Sequence, residues 1–369
     1  MHGMMDLMQL PSALAWLVDD ASIASAPDQF LTTLGAKLIA DGLPLAGGSL
    51  TQAAPHPIIA RRTWLWRAET GAVIEALGFG SLGSGDAEHA NVGRDWLVGL
   101  GAGTVQEDVA GPPGRGAAGA PLLGWAMSRA LDDDQSALLR QVARFAAAPL
   151  GVLAERSALT ALLETYLGRR SAAQVLAGRL RRETGETIRA VLLYADLRGF
   201  TELSETAPTD AVVAALDAWF DRVAGSVHAF GGEVLKFIGD GVLAIFPVGE
   251  GPPATACTAA LRAVAAARAG MAHLDRQRAE QGLPPLPFGI ALHLGEMLWG
   301  NIGTADRLDF TAIGPAVNLV SRLQGLCKPL GHSVLVSGAF ALEATATLVP
   351  LGEHALRGIA TPCAVFTVP

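Results

Sequence analysis

The chain has 369 residues, which fits two or three domains, and it is 50% hydrophobic and 17% charged, a balance that excludes a disordered chain and allows a sizeable core. A net charge of −8 and a pI near 5.5 argue against broad nucleic-acid binding. The mean hydropathy of +0.35 raises the question of a membrane, but much of it is alanine, and no uncharged apolar stretch approaches the roughly 18–20 residues of a spanning helix.

The N-terminus lacks a basic lead and meets Asp6 early, so no signal peptide is expected, and Cys257, Cys327 and Cys363 show no metal-ligand spacing. Together these predict a cytoplasmic protein with free thiols and no transmembrane segment. Leu10 to Leu43 reads as one or two helices, with Leu14, Leu17, Phe30, Leu34 and Leu38 facing inward. Ile58–Arg67 and Ala72–Gly80 read as strands, Gly101–Gly119 as loop, and GAPLLGWAMSR as a further strand. Residues 1–131 therefore read as a small α+β regulatory domain, and this order of elements resembles a GAF-type sensory domain. From Asp132 to about Arg182 apolar residues recur at spacings of three and four, with Pro149 an expected kink. Residues 132–183 thus predict a linking helix that packs on its own domain or pairs with a second copy.

The remaining zone, 184–369, is more strongly patterned. Ala190–Tyr194 is an apolar strand leading to Asp196, and Pro208–Phe230 is a helix closed by Gly231 at C′. Val234–Ile238 and Val242–Phe246 flank Gly239-Asp240-Gly241, a β-hairpin signal. A helix over about Thr255–Gln281, strands at Phe288–His293 and Met297–Asn301, and a helix over Pro315–Leu326 follow. The order βαββαβ predicts an α+β, ferredoxin-like sandwich, an antiparallel sheet with helices on one face.

If the first strand lies beside the hairpin, Asp196 and Asp240 converge. Two carboxylates at a cleft suit Mg²⁺ whose other ligands are substrate phosphates and water, whereas an Asp in a Gly-Asp-Gly turn is also ordinary turn chemistry. After Asp196, Gly199, Phe200 and Thr201 offer backbone N–H groups to a phosphate. Lys236 lies in an apolar strand, where an unpaired charge is costly, so a partner or ligand is expected unless it guards a sheet edge. Asn318 and Arg322, four apart, share one helix face, and a forked guanidinium suits a phosphoryl group gaining charge. His293 and His228 read as packed or surface residues.

ADLRGFTELSE, GGEVLKFIGDGVLAIF and DFTAIGPAVNLVSRL together resemble the catalytic domain of class III adenylate/guanylate cyclases, over about Ile188 to Pro369. TYLGRRSAAQVLAGRLRRETGE resembles the lead-in helix of bacterial members. The resemblance implies that Asp196 and Asp240 bind two Mg²⁺ or Mn²⁺ ions, and that Lys236 and Thr311 recognise adenine. It further implies that Asn318 and Arg322 position the ribose and stabilise the transition state, and that Arg357 meets the terminal phosphates. One departure is Gly289, where the family often has arginine; Arg307 or Arg198 are candidates to supply that charge. The implied activity is conversion of ATP to 3′,5′-cyclic AMP and pyrophosphate in a head-to-tail homodimer, regulated by the N-terminal domain. The alternatives are a guanylate cyclase, against which Lys236 argues, and a catalytically inactive nucleotide-sensing or scaffold module. Gly231-Gly232-Glu233 is similar to a diguanylate cyclase signature but precedes the hairpin rather than forming its turn.

Overall fold

A computed structural model describes residues 10–24, 26–54, 59–79, 92–100, 103–111, 120–181, 185–304 and 306–369. It divides into two compact units, Met1–Leu162 and Leu163–Pro369.

In the first unit, α1 (Ser12–Asp19) and α2 (Pro27–Ala40) precede β1 (Leu45–Ala53), β2 (Ile59–Arg67) and β3 (Val73–Phe79). Then come α3 (Val92–Gly99), β4 (Thr104–Val109), β5 (Leu122–Met127) and α4 (Asp133–Leu167). The five strands form an antiparallel sheet in the order β3-β2-β1-β5-β4. Trp64 and Trp66 share one face of β2, as expected, and join Leu50, Trp125 and the inner faces of α1, α2 and α4 in one core, while Thr63 and Leu65 on the other face are buried as well. Two expectations fail here. β1 and α3 were not anticipated, and the segment read as loop holds β4 at Thr104–Val109; the rest of that loop, at 101–102 and 112–119, lies outside the described residues.

α4 runs 35 residues, through Pro149. Leu139, Val142, Ala146, Leu150 and Leu153 enter the first unit's core. Phe145, Leu159, Leu162 and Tyr166 stay exposed, with Phe145, Leu159 and Tyr166 at multiples of seven residues. Among the described residues α4 is the one helix long and apolar enough by length and composition to cross a membrane, although Arg140 and Arg144 interrupt its apolar run and its Leu139–Leu153 stripe packs into the first unit's core.

The second unit begins in α4 and continues with α5 (Arg169–Leu176), β6 (Glu186–Leu197), α6 (Phe200–Thr206), α7 (Thr209–Ala229), β7 (Glu233–Ile238) and β8 (Gly241–Pro247). Next are α8 (Pro253–Glu280), β9 (Phe288–Gly303), β10 (Leu308–Ile313) and α9 (Pro315–Gly325). The chain ends with β11 (Val334–Ser337), α10 (Gly338–Ala341), β12 (Val349–His354) and β13 (Cys363–Thr367). The sheet order is β12-β13-β11-β9-β6-β8-β7, with β10 on β9. Its β9-β6-β8-β7 section is the antiparallel heart of the ferredoxin-like arrangement expected. The expectation of helices on one face is corrected. Trp219, Val223 and Val227 of α7 pack with Ala260, Val264 and Met271 of α8 on one side, while Ala316, Val320 and Leu323 of α9 pack on the other. The two strands expected at Phe288–His293 and Met297–Asn301 are one continuous β9.

Candidate functional site

β6 pairs with β8, Ala195 opposite Val242, so Asp196 emerges beside the turn that carries Asp240. The turn is two residues long, Gly239 and Asp240 between the paired Ile238 and Gly241, and Gly239 at φ +61° occupies the first central position. That position favours glycine in hairpins of this kind. The turn is tied down from α7, where the fully buried Trp219 donates from Nε1 to the Asp240 carbonyl at 2.9 Å. Burial first, and then the neighbouring Asp240 carboxyl, push the Asp196 carboxyl up to about 7. Asp196 Oδ1 is buried without a hydrogen-bond partner. Tyr194, two residues earlier on the same strand face, is raised by burial and then by both carboxylates.

An orphaned carboxylate oxygen and two anions forced together are what a divalent cation relieves, so Asp196 and Asp240 fit a Mg²⁺ or Mn²⁺ site. Among the described residues no group of three or more His, Cys, Asp or Glu is placed to hold a metal. The remaining ligands would have to be water and substrate oxygens.

Gly199 at φ +75° opens α6; Phe200 packs against the α7–α8 core and Thr201 is exposed. A β-bulge precedes Lys236. Val234 faces Ala244, but Lys236 faces Leu243, so Leu235 is the extra residue. Leu243 belongs to the α9-side core, so Lys236 opposite it lies on the same sheet face as Tyr194 and Asp196, whereas Val234 beyond the bulge packs on the other. The Lys236 ammonium pairs with the carboxylate of Asp309 on β10. Asp309 lies two residues before Thr311 and shares its strand face. The opposite face of β10 is inward: Phe310 stacks on Trp299 with centroids 5.0 Å apart, and Ala312 is buried.

Asn318 and Arg322 project from α9 on one exposed stripe, opposite the buried Ala316, Val320 and Leu323. Among the described residues no hydrogen bond or ion pair joins either side chain to the carboxylate pair, to Lys236 or to Thr311. Arg357 is exposed in the loop between β12 and β13, which Leu356 anchors in the core.

Neither candidate for the missing arginine stands at Gly289. Arg198 donates through Nη2 to the His332 carbonyl, and Arg307 is exposed in the β9–β10 turn. Gly289 faces Asp196 across the β6–β9 ladder. A Cβ there would lie 2.9 Å from Cys327 Cβ and from Gln324 Nε2, so close packing excludes a side chain. His293 is a packed histidine, as read from the sequence: its Nδ1 meets the Ser337 hydroxyl at 2.8 Å, and burial pulls it down to about 4. The sequence reading missed Trp219 and Asp309. The only signal for Asp309 was its period-two relation to Thr311.

The lead-in helix α5 is tied to this unit. Arg170 makes a forked pair with Glu233, at 2.7 and 2.8 Å, and its guanidinium lies 5.7 Å from the Trp299 ring centroid. The Glu233 hydrogen bond is the main cause of the raised Arg170 pKa.

Residues 184–362 match the family model for the adenylate and guanylate cyclase catalytic domain, and this half of the chain belongs to that family. Adenylate cyclase 1 of Rhizobium meliloti (strain 1021) is 35% identical over 181 residues, 48% of this chain and 27% of that protein. The adenylate cyclase of Anabaena cylindrica is 32% identical over 155 residues, 41% of this chain and 30% of that protein. The matched segment thus spans under a third of either relative. A solved structure of a bacterial light-regulated adenylyl cyclase aligns over 87% of this chain and 93% of its own, with a TM-score of 0.53 at 19% identity, a likeness of fold.

Proposed function

We propose that the chain is an adenylate cyclase, converting ATP to 3′,5′-cyclic AMP and pyrophosphate at sites shared between two copies, with the N-terminal unit as regulator. The observation that carries this reading is the Asp196–Asp240 pair with its orphaned oxygen, set in a family domain that also retains Lys236, Thr311, Asn318 and Arg322. Two divalent ions, Mg²⁺ or Mn²⁺, held by Asp196 and Asp240 would supply activation of the ribose 3′-hydroxyl and a grip on the triphosphate. Lys236 donates to a ring nitrogen of adenine and Thr311 accepts from its amino group. Asn318 holds the ribose so that its 3′-oxygen lies in line with the α-phosphorus. As the new O–P bond forms and the bond to pyrophosphate breaks, Arg322 faces the charge that develops on the phosphoryl oxygens. Gly199, Phe200 and Thr201 border the triphosphate, and Arg357 reaches its far end.

Within one chain Asn318 and Arg322 make no polar contact with the carboxylate pair, which supports a site completed by a second copy. The exposed Phe145, Leu159, Leu162 and Tyr166 of α4 are then a surface for pairing that copy. A guanylate cyclase is the competing reading of the same domain. Turnover of ATP against GTP by the full chain decides between them, and GTP used as well as ATP refutes the adenine assignment. Mixing inactive Asp196→Asn and Arg322→Ala proteins tests the shared site. Random exchange makes half of the dimers mixed, each with one intact site, so about a quarter of wild-type activity should return. Continued inactivity after demonstrated exchange would place the site within one chain.

A further inference from the structure

We propose that Tyr194 is a positioning residue for the metal site: its hydroxyl donates to the Asp196 carboxylate and holds it for a divalent ion. This rests on the metal reading of the Asp196–Asp240 pair above. Tyr194 and Asp196 are two apart on β6, so they share one sheet face, the face of Leu243 and the α9-side core. The phenol ring packs against that core and leans along the strand towards the hairpin turn. Gly241 fixes where it ends. That glycine follows Asp240 and precedes Val242, the partner of Ala195, and so lies beside Asp196. A Cβ on Gly241 would stand 2.7 Å from the Tyr194 hydroxyl oxygen and 3.2 Å from its Cζ, so the missing side chain is what admits the hydroxyl to the turn.

The ring would pack as well without its hydroxyl. A phenol O–H usually finds a partner when it leaves water, yet among the described residues no group hydrogen-bonds this half-buried one. Its surroundings are negative: after burial, the charges of Asp196 and Asp240 act on it and keep it in its protonated, donating form. On the same face Asp196 Oδ1 is buried without a partner. A free donor and an orphaned acceptor thus lie two residues apart, and rotation about the soft terminal torsion of Asp196 turns an oxygen towards the hydroxyl. Side chains that hold metal ions are themselves oriented by outer hydrogen bonds. Trp219 supplies one to the Asp240 carbonyl from the α7 side, and Tyr194 supplies its counterpart to Asp196 from the α9 side.

The test uses the full-length protein and Mn²⁺, with binding read by electron paramagnetic resonance in the presence of 2′,3′-dideoxy-ATP, which lacks the attacking hydroxyl. Tyr194→Phe should weaken Mn²⁺ binding about tenfold, the lower end of what losing an outer hydrogen bond to a metal ligand costs. Its unfolding midpoint in EDTA should stay that of wild type, because the ring still packs. Half-maximal turnover should need about tenfold more Mn²⁺, with KM for ATP at saturating Mn²⁺ unchanged. In an Asp196→Ala background, where Mn²⁺ still has Asp240 and the nucleotide, Tyr194→Phe should add nothing, because the hydroxyl acts through the missing carboxylate. An unchanged Mn²⁺ affinity in Tyr194→Phe, or the same weakening with and without Asp196, overturns the proposal while leaving the metal reading in place. Wild type that binds no Mn²⁺ beyond what the nucleotide alone takes up would overturn the metal reading itself.

Discussion

Asp196→Asn is expected to stabilise the metal-free protein while abolishing its turnover. In the fold the Asp196 carboxyl is pushed up to about 7, chiefly by burial and then by Asp240, whereas in the unfolded chain it titrates near ~3.9. The folded state therefore binds the proton more tightly, and stability falls as pH rises from about 4 to 7. The full difference is worth about 4 kcal/mol, and because the group is only partly withdrawn from solvent we take about 2 kcal/mol. Asparagine has nearly the same shape, carries no charge and can donate to Asp240. The assay is thermal or denaturant unfolding of both full-length proteins in EDTA at pH 8 and pH 5. The variant should be the more stable by about 2 kcal/mol at pH 8 and by less than about 1 kcal/mol at pH 5, where wild type is largely protonated. Mg²⁺ with nucleotide should stabilise wild type alone. A variant that is less stable at pH 8, or an advantage that does not shrink towards pH 5, refutes the reasoning.

His293 runs the other way. It is held near about 4 by burial, so the unfolded chain binds its proton first, and about 3 kcal/mol of stability should drain away as pH falls from about 6.5 to 4. His293→Asn should flatten that limb of the stability profile, and an unaltered limb would show that the loss arises elsewhere. Trp219→Phe removes the hydrogen bond to the Asp240 carbonyl and should lower stability by about 1 kcal/mol and raise the metal concentration needed for half-maximal turnover. Gly289→Ala should cost about 1–3 kcal/mol in an unfolding assay, because its methyl meets Cys327 and Gln324; full stability would mean that the helix yields.

The helices α7 and α8 and the hairpin between β7 and β8 were legible because each carries one uninterrupted signal: a 3.6-residue apolar stripe, or a glycine turn between apolar runs. β1 was not, since Gly47 and Gly48 argue against a strand. Those glycines answer to distant partners: a Cβ on Gly48 would sit 2.6 Å from the Trp125 ring, and one on Gly47 2.6 Å from Leu100. β9 was read as two strands because Gly295 interrupts the pattern, yet that glycine makes room for Ala316 of α9. An amphipathic stripe announces that α9 has a buried face but not which side of the sheet receives it. In the candidate site the convergence of Asp196 and Asp240 followed from strand order alone. That Lys236 and Val234 lie on opposite faces did not, because nothing in the sequence marks the register shift at Leu235. Asp309 drew no notice because its partner is 73 residues away.

The extra residue in β7 separates the lysine from the rest of its strand. The two-residue turn sets the pairing from Ile238 back to Lys236, so removing Leu235 would leave the lysine opposite Leu243 and Val234 opposite Ala244, at the cost of the apolar contact Leu235 makes with the α9-side core. A change of chain length at this point is absorbed before it reaches the lysine, whereas the same change within the turn would move it to the other face.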